Sequence, residues 1–302
     1  MNPLIFGLSL VIVLQSYASS NRMLIVIDYQ NDFLQGGALG AENDNEEKKE
    51  NQNKVTKNII EMIGKFNAKN FAIVTSQDKH PKDHVSFLSA HQKTNDDIKI
   101  NPGQIPQVCL TYREFGEPYE ILDYNYSPYD DNNKSICVDE NQMIQEMWPD
   151  HCVDGTNGFE IESSVQEALK KENLDKSTDT FNVFKGTDQN VDAYSVIKNN
   201  VGVIYSEVLE YIQEKEISQV YLVGVATDFC VFNTAKDLVE ESNDKYEVII
   251  VHDACIEIMQ GEGEKKVQDF NRPRNDVETI KWKAFKKVEE EIDASSQFDL
   301  LI

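Results

Sequence analysis

The sequence has few basic residues for its length. Its 302 residues include 29 Lys plus Arg and 53 Asp plus Glu, so the formal net charge at pH 7 is −24. Nucleic acids and anionic membranes are polyanions that bind basic surfaces, and this composition argues against both as partners. Hydrophobic residues make up 40% of the chain, which is enough for a sizeable core. We therefore expect a chain that folds by itself.

The chain also lacks an apolar run long enough to cross a membrane. The run Pro3–Leu14 is shorter than the about 20 residues that a transmembrane helix needs. A run of this length followed by small residues, here Ser16-Tyr17-Ala18, is typical of a secretory signal. We predict a signal peptide over residues 1–18 and secretion or delivery to an endomembrane lumen. A cytoplasmic protein with an apolar tail or first strand is the alternative.

Two further features bear on export. Asn125-Tyr126-Ser127 and Asn133-Lys134-Ser135 are N-glycosylation sequons, which favour it. The cysteines are few and odd in number, so at least one is unpaired or pairs between chains; they are Cys109, Cys137, Cys152, Cys230 and Cys255. Cys109 and Cys137 flank the polar stretch that holds both sequons, and we predict a disulfide between them. An unpaired thiol in a secreted protein is either buried and inert or kept for chemistry.

Short apolar runs alternate with amphipathic segments along most of the chain. Near-continuous apolarity is typical of buried parallel strands. Such runs predict strands over Met23–Asp28, Asn70–Thr75, Phe181–Phe184, Gln219–Gly224 and Tyr246–Val251. Helical faces are predicted by two sets of residues, Val55, Ile59, Ile60, Ile63 and Phe66, and Val203, Ile204, Val208, Tyr211 and Ile212.

The alternating β-α-β order predicts the fold class. It is typical of an α/β three-layer sandwich with a central, mainly parallel β-sheet and helices on both faces, whose site lies at the carboxyl ends of the strands. We expect a single domain over residues 19–302. A polar, aperiodic stretch at about 92–140 indicates an insertion, and residues 275–293 indicate a charged C-terminal helical extension.

A metal-binding pattern follows the second predicted strand. The chain contains neither a Gly-rich phosphate loop nor a G-x-S-x-G elbow, so its chemistry must come from other residues. Asp78 and His80 are two residues apart, and alternate side chains of extended backbone point the same way. His151 follows Pro149 in W-P-D-H-C-V-D-G-T, where nothing periodic requires a histidine. One carboxylate and two imidazoles would leave open positions typical of a catalytic metal, whereas a surface turn is the alternative for His151.

Three ionisable residues fall at the ends of other predicted strands. Asp28 ends the first strand, where an acid is either a base or a helix cap. Lys185 follows F-N-V-F, where it is either a functional cation or a surface residue whose apolar stem lies along the protein while its charge reaches water. Cys230 follows the strand in V-Y-L-V-G-V-A-T-D-F-C. It would lie in the first turn of the next helix, where the helix dipole favours a thiolate. A small buried cysteine is the alternative there.

Taken together, these motifs resemble a known family. V-I-D-Y-Q-N-D-F, D-K-H-P-K-D-H-V-S-F, W-P-D-H-C-V-D-G-T, K-G-T-D and G-V-A-T-D-F-C-V are similar to the isochorismatase-like cysteine hydrolases, specifically the nicotinamidases, and occur in the family's order. The resemblance implies that Asp28 is the general base, Lys185 completes the triad and Cys230 is the nucleophile.

The same resemblance implies the rest of the site. Asp78, His80 and His151 would bind one divalent metal, with zinc the first choice and iron, manganese or magnesium as alternatives. A cis peptide would precede Ala226, and the Ala226 and Cys230 amides would form the oxyanion hole. The pyridine pocket would be walled by Phe33, Trp148 and Tyr194.

The implied reaction is conversion of nicotinamide to nicotinic acid and ammonia through a thioester. Two alternatives remain at this point. One is a related amidohydrolase that acts on an N-carbamoyl or ureido compound, and the other is an inactive secreted binding protein of the same fold. The implied partner is a small molecule, without nucleic acid and without a membrane in the mature form, and a homo-oligomer is compatible with the sequence.

Overall fold

The computed structural model describes residues 21–40, 46–92, 107–111, 120–123, 142–172, 180–242, 245–272 and 279–298. Within these ranges the strands, numbered in chain order, are β1 (Arg22–Ile27), β2 (Ala72–Asp78), β3 (Gln107–Thr111), β4 (Glu120–Asp123), β5 (Gln142–Glu146), β6 (Thr180–Lys185), β7 (Gln219–Val225), β8 (Glu247–Ile256) and β9 (Ile280–Lys283). The α-helices are α1 (Glu46–Ala68), α2 (Leu88–Gln92), α3 (Ser163–Glu172), α4 (Ser206–Glu214), α5 (Phe232–Ser242), α6 (Glu262–Asn271) and α7 (Phe285–Phe298). A 3₁₀ turn spans Asn31–Phe33, and a π-helical turn spans Thr227–Val231.

The central sheet has six parallel strands in the order β6-β2-β1-β7-β8-β9. Every residue of β1 is buried, because neighbouring strands flank it and helices cover its faces. Apolar side chains on both sides of the inner strands therefore form the core, as the continuous apolar runs of the sequence predict.

Helices cover both faces of this sheet. Helix α1 joins β1 to β2 and packs against α3 and α7, whereas α5 joins β7 to β8 and packs against α6. These two crossovers run outward in opposite directions from the centre of the sheet, and right-handed connections then place their helices on opposite faces. The predicted three-layer sandwich is confirmed.

β1 and β7 are parallel neighbours, but the order in which successive strands are added to the sheet reverses between them. From β1 the next strand lies on one side, and from β7 the next strand lies on the other. In open parallel sheets a crevice forms at such a point beyond the carboxyl ends of the strands. The residues that follow β1 and β7 therefore lie at this point of the sheet edge.

Most predicted elements agree with the structure, and two do not. The predicted helix over residues 275–293 is wrong in its first part, because Ile280–Lys283 forms strand β9 beside β8 and α7 begins only at Phe285. Val203 and Ile204 were assigned to a buried helical face, but they precede α4 and are 52% and 46% exposed. Within α4, Val208 and Ile212 are buried as predicted.

The predicted insertion at about 92–140 is only partly described. Two strands within it, β3 and β4, form a separate antiparallel sheet with β5, which follows it directly. The stretch therefore contains regular structure that its polar sequence did not predict. The signal segment 1–18, both sequons and Cys137 lie outside the described residues, so the predicted disulfide stays a prediction. Among the helices that the structure does describe, none combines the length and apolarity of a membrane span.

Candidate active site

Four chemically active side chains meet at one edge of the central sheet. Asp28 follows β1 in a left-handed conformation with φ 47°, Asp78 ends β2 and Lys185 ends β6. Cys230 lies in the π-helical turn after β7. All four are buried, with exposed fractions of 0 to 4%. Parallel strands bring them together because their carboxyl ends point to the same edge.

The Lys185 ammonium lies at the centre of this group. Its Nζ is 2.8 Å from Oδ2 of Asp28 and 2.5 Å from Oδ1 of Asp78. It also donates to the Ala193 carbonyl at 3.0 Å and to Sγ of Cys230 at 3.4 Å. Burial opposes the charge on Lys185, but Asp28 and Asp78 outweigh that penalty and raise its pKa well above the ordinary value. The group is therefore a permanent cation.

The two carboxylates respond differently to the same environment. Burial raises the pKa of Asp28 to about 6, even though Lys185 and a hydrogen bond of 2.7 Å from Ser76 Oγ favour its ionised form. Burial also opposes ionisation of Asp78, but Lys185 and His80 lower its pKa below the ordinary value. At neutral pH, Asp78 is a fixed anion, whereas Asp28 can gain and lose a proton.

Burial decides the protonation state of Cys230. A helix dipole favours a thiolate at this position, but burial, opposed only in part by Lys185, raises the pKa of Cys230 well above its ordinary value. The resting group is therefore the thiol. Its Sγ and carboxylate oxygens of Asp28 and Asp78 lie within 4.8 Å of one another, so a base is within reach.

Asp78, His80 and His151 form a candidate metal site. Their ligand atoms lie within 4.8 Å of one another, and all three side chains are buried. Nδ1 of His80 lies 3.0 Å from the Gly186 carbonyl, and Nδ1 of His151 lies 2.8 Å from the Pro149 carbonyl. Each ring therefore donates through Nδ1 and keeps the Nε2 lone pair for a cation. Burial also lowers the pKa of His151 to about 4, so that this ring is neutral at pH 7.

Two other groups in the described ranges have similar spacing but fit a metal less well. In the group His80, His84 and Asp192, the side chains of His84 and Asp192 already make hydrogen bonds to other protein groups. His84 contacts Ser86 Oγ and the Val191 carbonyl, and Asp192 accepts from Gln145 and from the Ala193 amide. In the group Asp28, Asp78 and Cys230, the Lys185 ammonium already supplies the positive charge.

Of the three aromatic residues predicted as pocket walls, two contact His151 and the third, Tyr194, contacts Trp148. The Phe33 ring meets His151 edge-on at 5.5 Å, and the Trp148 ring lies 6.4 Å from His151. Trp148 Nε1 donates to the Tyr194 hydroxyl at 3.4 Å. Phe229 packs against both Trp148 and Tyr194, at 5.0 and 5.6 Å between ring centroids. The aromatic cluster therefore adjoins the metal ligands through His151.

Sequence reasoning missed several residues of the site. Ser76 supports Asp28, Phe229 completes the aromatic cluster, and Glu146 accepts a hydrogen bond of 2.8 Å from the Tyr194 hydroxyl. The position of Phe229 directly before Cys230 was a usable signal, whereas Ser76 lies within a buried strand without one. The expected cis peptide between Val225 and Ala226 is present and is confirmed.

Comparison with known proteins supports a single family. A family model described as Isochorismatase domain matches residues 138–277. Over these residues the chain is similar to the isochorismatase-like hydrolases. The nicotinamidase of Acinetobacter baylyi is 28% identical over 237 residues, which cover 78% of this hydrolase and 82% of that protein.

Solved structures share the fold of this hydrolase. The yeast nicotinamidase Pnc1p, bound to the inhibitor nicotinaldehyde, has a TM-score of 0.57 and 22% identity, with 87% of this chain and 99% of that chain covered. The pyrazinamidase of Pyrococcus horikoshii in complex with zinc has a TM-score of 0.51 and 23% identity, with the same coverage of 87% and 99%. At this level of identity the likeness shows the common fold.

Replacing the central cation tests this electrostatic arrangement. We expect Lys185→Met to lower the free energy of unfolding of the metal-free protein at pH 8 by about 3 kcal/mol or more, because two buried carboxylates lose their counter-ion. At pH 5 the loss should be smaller. The pKa of Asp28 is already about 6 and rises further without the cation, so proton uptake then offsets part of the cost.

Urea unfolding at both pH values measures the difference. The double variant Asp28→Asn/Lys185→Met is the control, since it removes one of the two carboxylates and should recover part of the loss at pH 8. An equal loss at pH 5 and pH 8 would contradict the assignment of Lys185 as counter-ion of a titrating pair.

Proposed function

We propose that this hydrolase converts nicotinamide to nicotinic acid and ammonia as a metal-dependent cysteine amidohydrolase. The observation that carries the proposal is the buried contact of Lys185 with Asp28, Asp78 and Cys230, where Asp78 also belongs to the candidate metal site. The relative in Acinetobacter baylyi is a nicotinamidase, and the yeast neighbour binds nicotinaldehyde, which support the same substrate here.

The first half of the reaction forms a thioester. Asp28 takes the proton of the Cys230 thiol while the sulfur attacks the carboxamide carbon. Because the pKa of Cys230 lies well above that of Asp28, which is about 6, the proton moves only as the carbon–sulfur bond forms. The amides of Ala226 and Cys230 stabilise the tetrahedral oxyanion, and one such donor is typically worth about 3 kcal/mol.

The second half releases both products. Protonated Asp28 gives its proton to the departing amine, which leaves as ammonia. Water then attacks the thioester with Asp28 again as base, so that nicotinic acid is released and Cys230 regains its proton. Lys185 keeps Asp28 ionised between these transfers, since without it burial would favour the neutral acid.

The metal site serves to orient the substrate. Asp78, His80 and His151 would hold one divalent ion, and an open position on it suits the pyridine nitrogen of nicotinamide. We propose zinc because two imidazoles and a carboxylate suit it and because the Pyrococcus horikoshii neighbour contains zinc. Phe33, Trp148 and Tyr194 would enclose the ring, which places its carboxamide toward Cys230.

The first prediction from this mechanism concerns the nucleophile. The purified protein should release ammonia from nicotinamide, and Cys230→Ala should lower the rate by at least about a thousandfold, because the thioester forms on the Cys230 sulfur. A coupled ammonia assay measures the rate, and circular dichroism verifies that the variant folds. Cys255→Ala is the matched control, since Cys255 is also buried but belongs to β8 and should be dispensable. Ammonia release that survives in Cys230→Ala would exclude this nucleophile.

The second prediction concerns the metal. Chelation should remove activity, and His151→Ala should lose bound metal, because only two of the three ligands remain. Elemental analysis of the purified proteins measures the metal, with His252→Ala as control because His252 stacks on Trp282 and belongs to none of the ligand groups. If neither treatment changes activity, a metal-free relative acting on an N-carbamoyl or ureido compound becomes the better interpretation.

We also propose that the enzyme is exported. The support is the apolar run Pro3–Leu14 with its cleavage signal and the two sequons at Asn125 and Asn133. Mass spectrometry of the protein from its own cells should find a mature chain that begins near Ser19, a disulfide between Cys109 and Cys137, and a reduced Cys230. An intact Met1 with every thiol reduced would instead indicate a cytoplasmic enzyme.

A further inference from the structure

Cys152, the residue that follows His151, is hydrogen-bonded through both its amide and its carbonyl. The Cys152 amide donates to Oδ2 of Asp32 at 2.7 Å, and the Cys152 carbonyl accepts from the His80 amide at 3.1 Å. Cys152 itself adopts a left-handed conformation with φ 47°, which residues other than glycine avoid unless contacts hold it. The backbone directly after His151 is therefore anchored by Asp32.

Asp32 is itself held in place. Its Oδ1 accepts from the Ala38 amide at 3.2 Å, and its backbone amide donates to the Gly158 carbonyl at 3.2 Å. Gly158 packs so closely that an added Cβ would lie 1.9 Å from Oδ2 of Asp32. The carboxylate is therefore confined between the segment after β1 and the loop that carries His151.

The bond from Asp32 acts at a specific point of that loop. The Cys152 N–H and the His151 carbonyl belong to the same peptide group. The hydrogen bond from this N–H to Asp32 therefore sets the plane of the peptide group that is attached to the His151 Cα. Neighbouring Asn31 also bonds this loop, but its side chain donates to the Asn157 carbonyl at 2.9 Å, six positions beyond His151. The two neighbours therefore differ in what they can orient.

We propose that Asp32 is a positioning residue that aims His151 at the metal. The inference rests on the metal site of the proposed function. Asp32 is not one of the three ligands; it fixes the backbone from which His151 projects, next to the carbonyl that bonds the His80 amide. Supporting groups behind metal ligands typically contribute 10–100-fold to metal affinity, which sets the scale of the expected effect.

Zinc affinity of the full-length protein tests this role, measured by competition with a chromophoric chelator. Asp32→Ala should weaken zinc binding on the order of 10–100-fold. Asn31→Ala, which removes one hydrogen bond to the same loop, should bind zinc like the unsubstituted protein. Thermal unfolding of the metal-free proteins shows whether the two variants are destabilised alike. The d–d absorption of the cobalt form should change with Asp32→Ala only.

Asp32→Asn keeps the volume of the side chain and decides the question if Asp32→Ala does not fold. Its amide cannot accept from both Cys152 and Ala38, so an intermediate loss of zinc affinity is expected. Equal zinc affinity of Asp32→Asn and the unsubstituted protein, or equal losses in Asp32→Ala and Asn31→Ala, would overturn the inference. A protein that binds zinc but does not hydrolyse nicotinamide would defeat the proposed function, while the zinc affinities would still decide the role of Asp32.

Discussion

The site depends on one buried cation and the two carboxylates beside it. An unpaired ammonium in the interior would cost several kcal/mol, so Lys185 is compatible with folding only because Asp28 and Asp78 meet it. These three residues end three adjacent strands, and the parallel register pairs Asp78 directly with Lys185. The three strands must therefore end at the same level for the charges to balance. The site forms only if the sheet folds in this register.

Asp78 links two kinds of chemistry. One of its oxygens contacts Lys185, and the other lies 3.7 Å from Nε2 of His80, on the side of the metal ligands. The same carboxylate thus balances the cation beside Asp28 and contributes to the candidate metal site. Backbone carbonyls hold Nδ1 of His80 and His151, so the fold sets the orientation of these ligands.

Much of this arrangement was predictable, and the failures have physical reasons. Continuous apolar runs located the inner strands, and chemically active residues at their ends located the site, because parallel strands end at one edge. The segment Ile280–Lys283 alternates apolar and charged residues within a charged stretch, which resembled a helix, and only its pairing with β8 makes it a strand. A local helix dipole favours a thiolate at Cys230, but burial of the side chain dominates its pKa, and burial follows only from the packing of distant segments.

The sequence by itself determined the identity and order of the reacting groups and the class of sheet that gathers them, since both follow from residue type and local periodicity. Only the tertiary structure decided the protonation states, the histidine orientations and the supporting contacts. Asp32 and Cys152 are 120 residues apart in the chain, and no local pattern relates them. Electrostatic interactions and hydrogen bonds depend on distance and burial, which are fixed only when distant segments pack together.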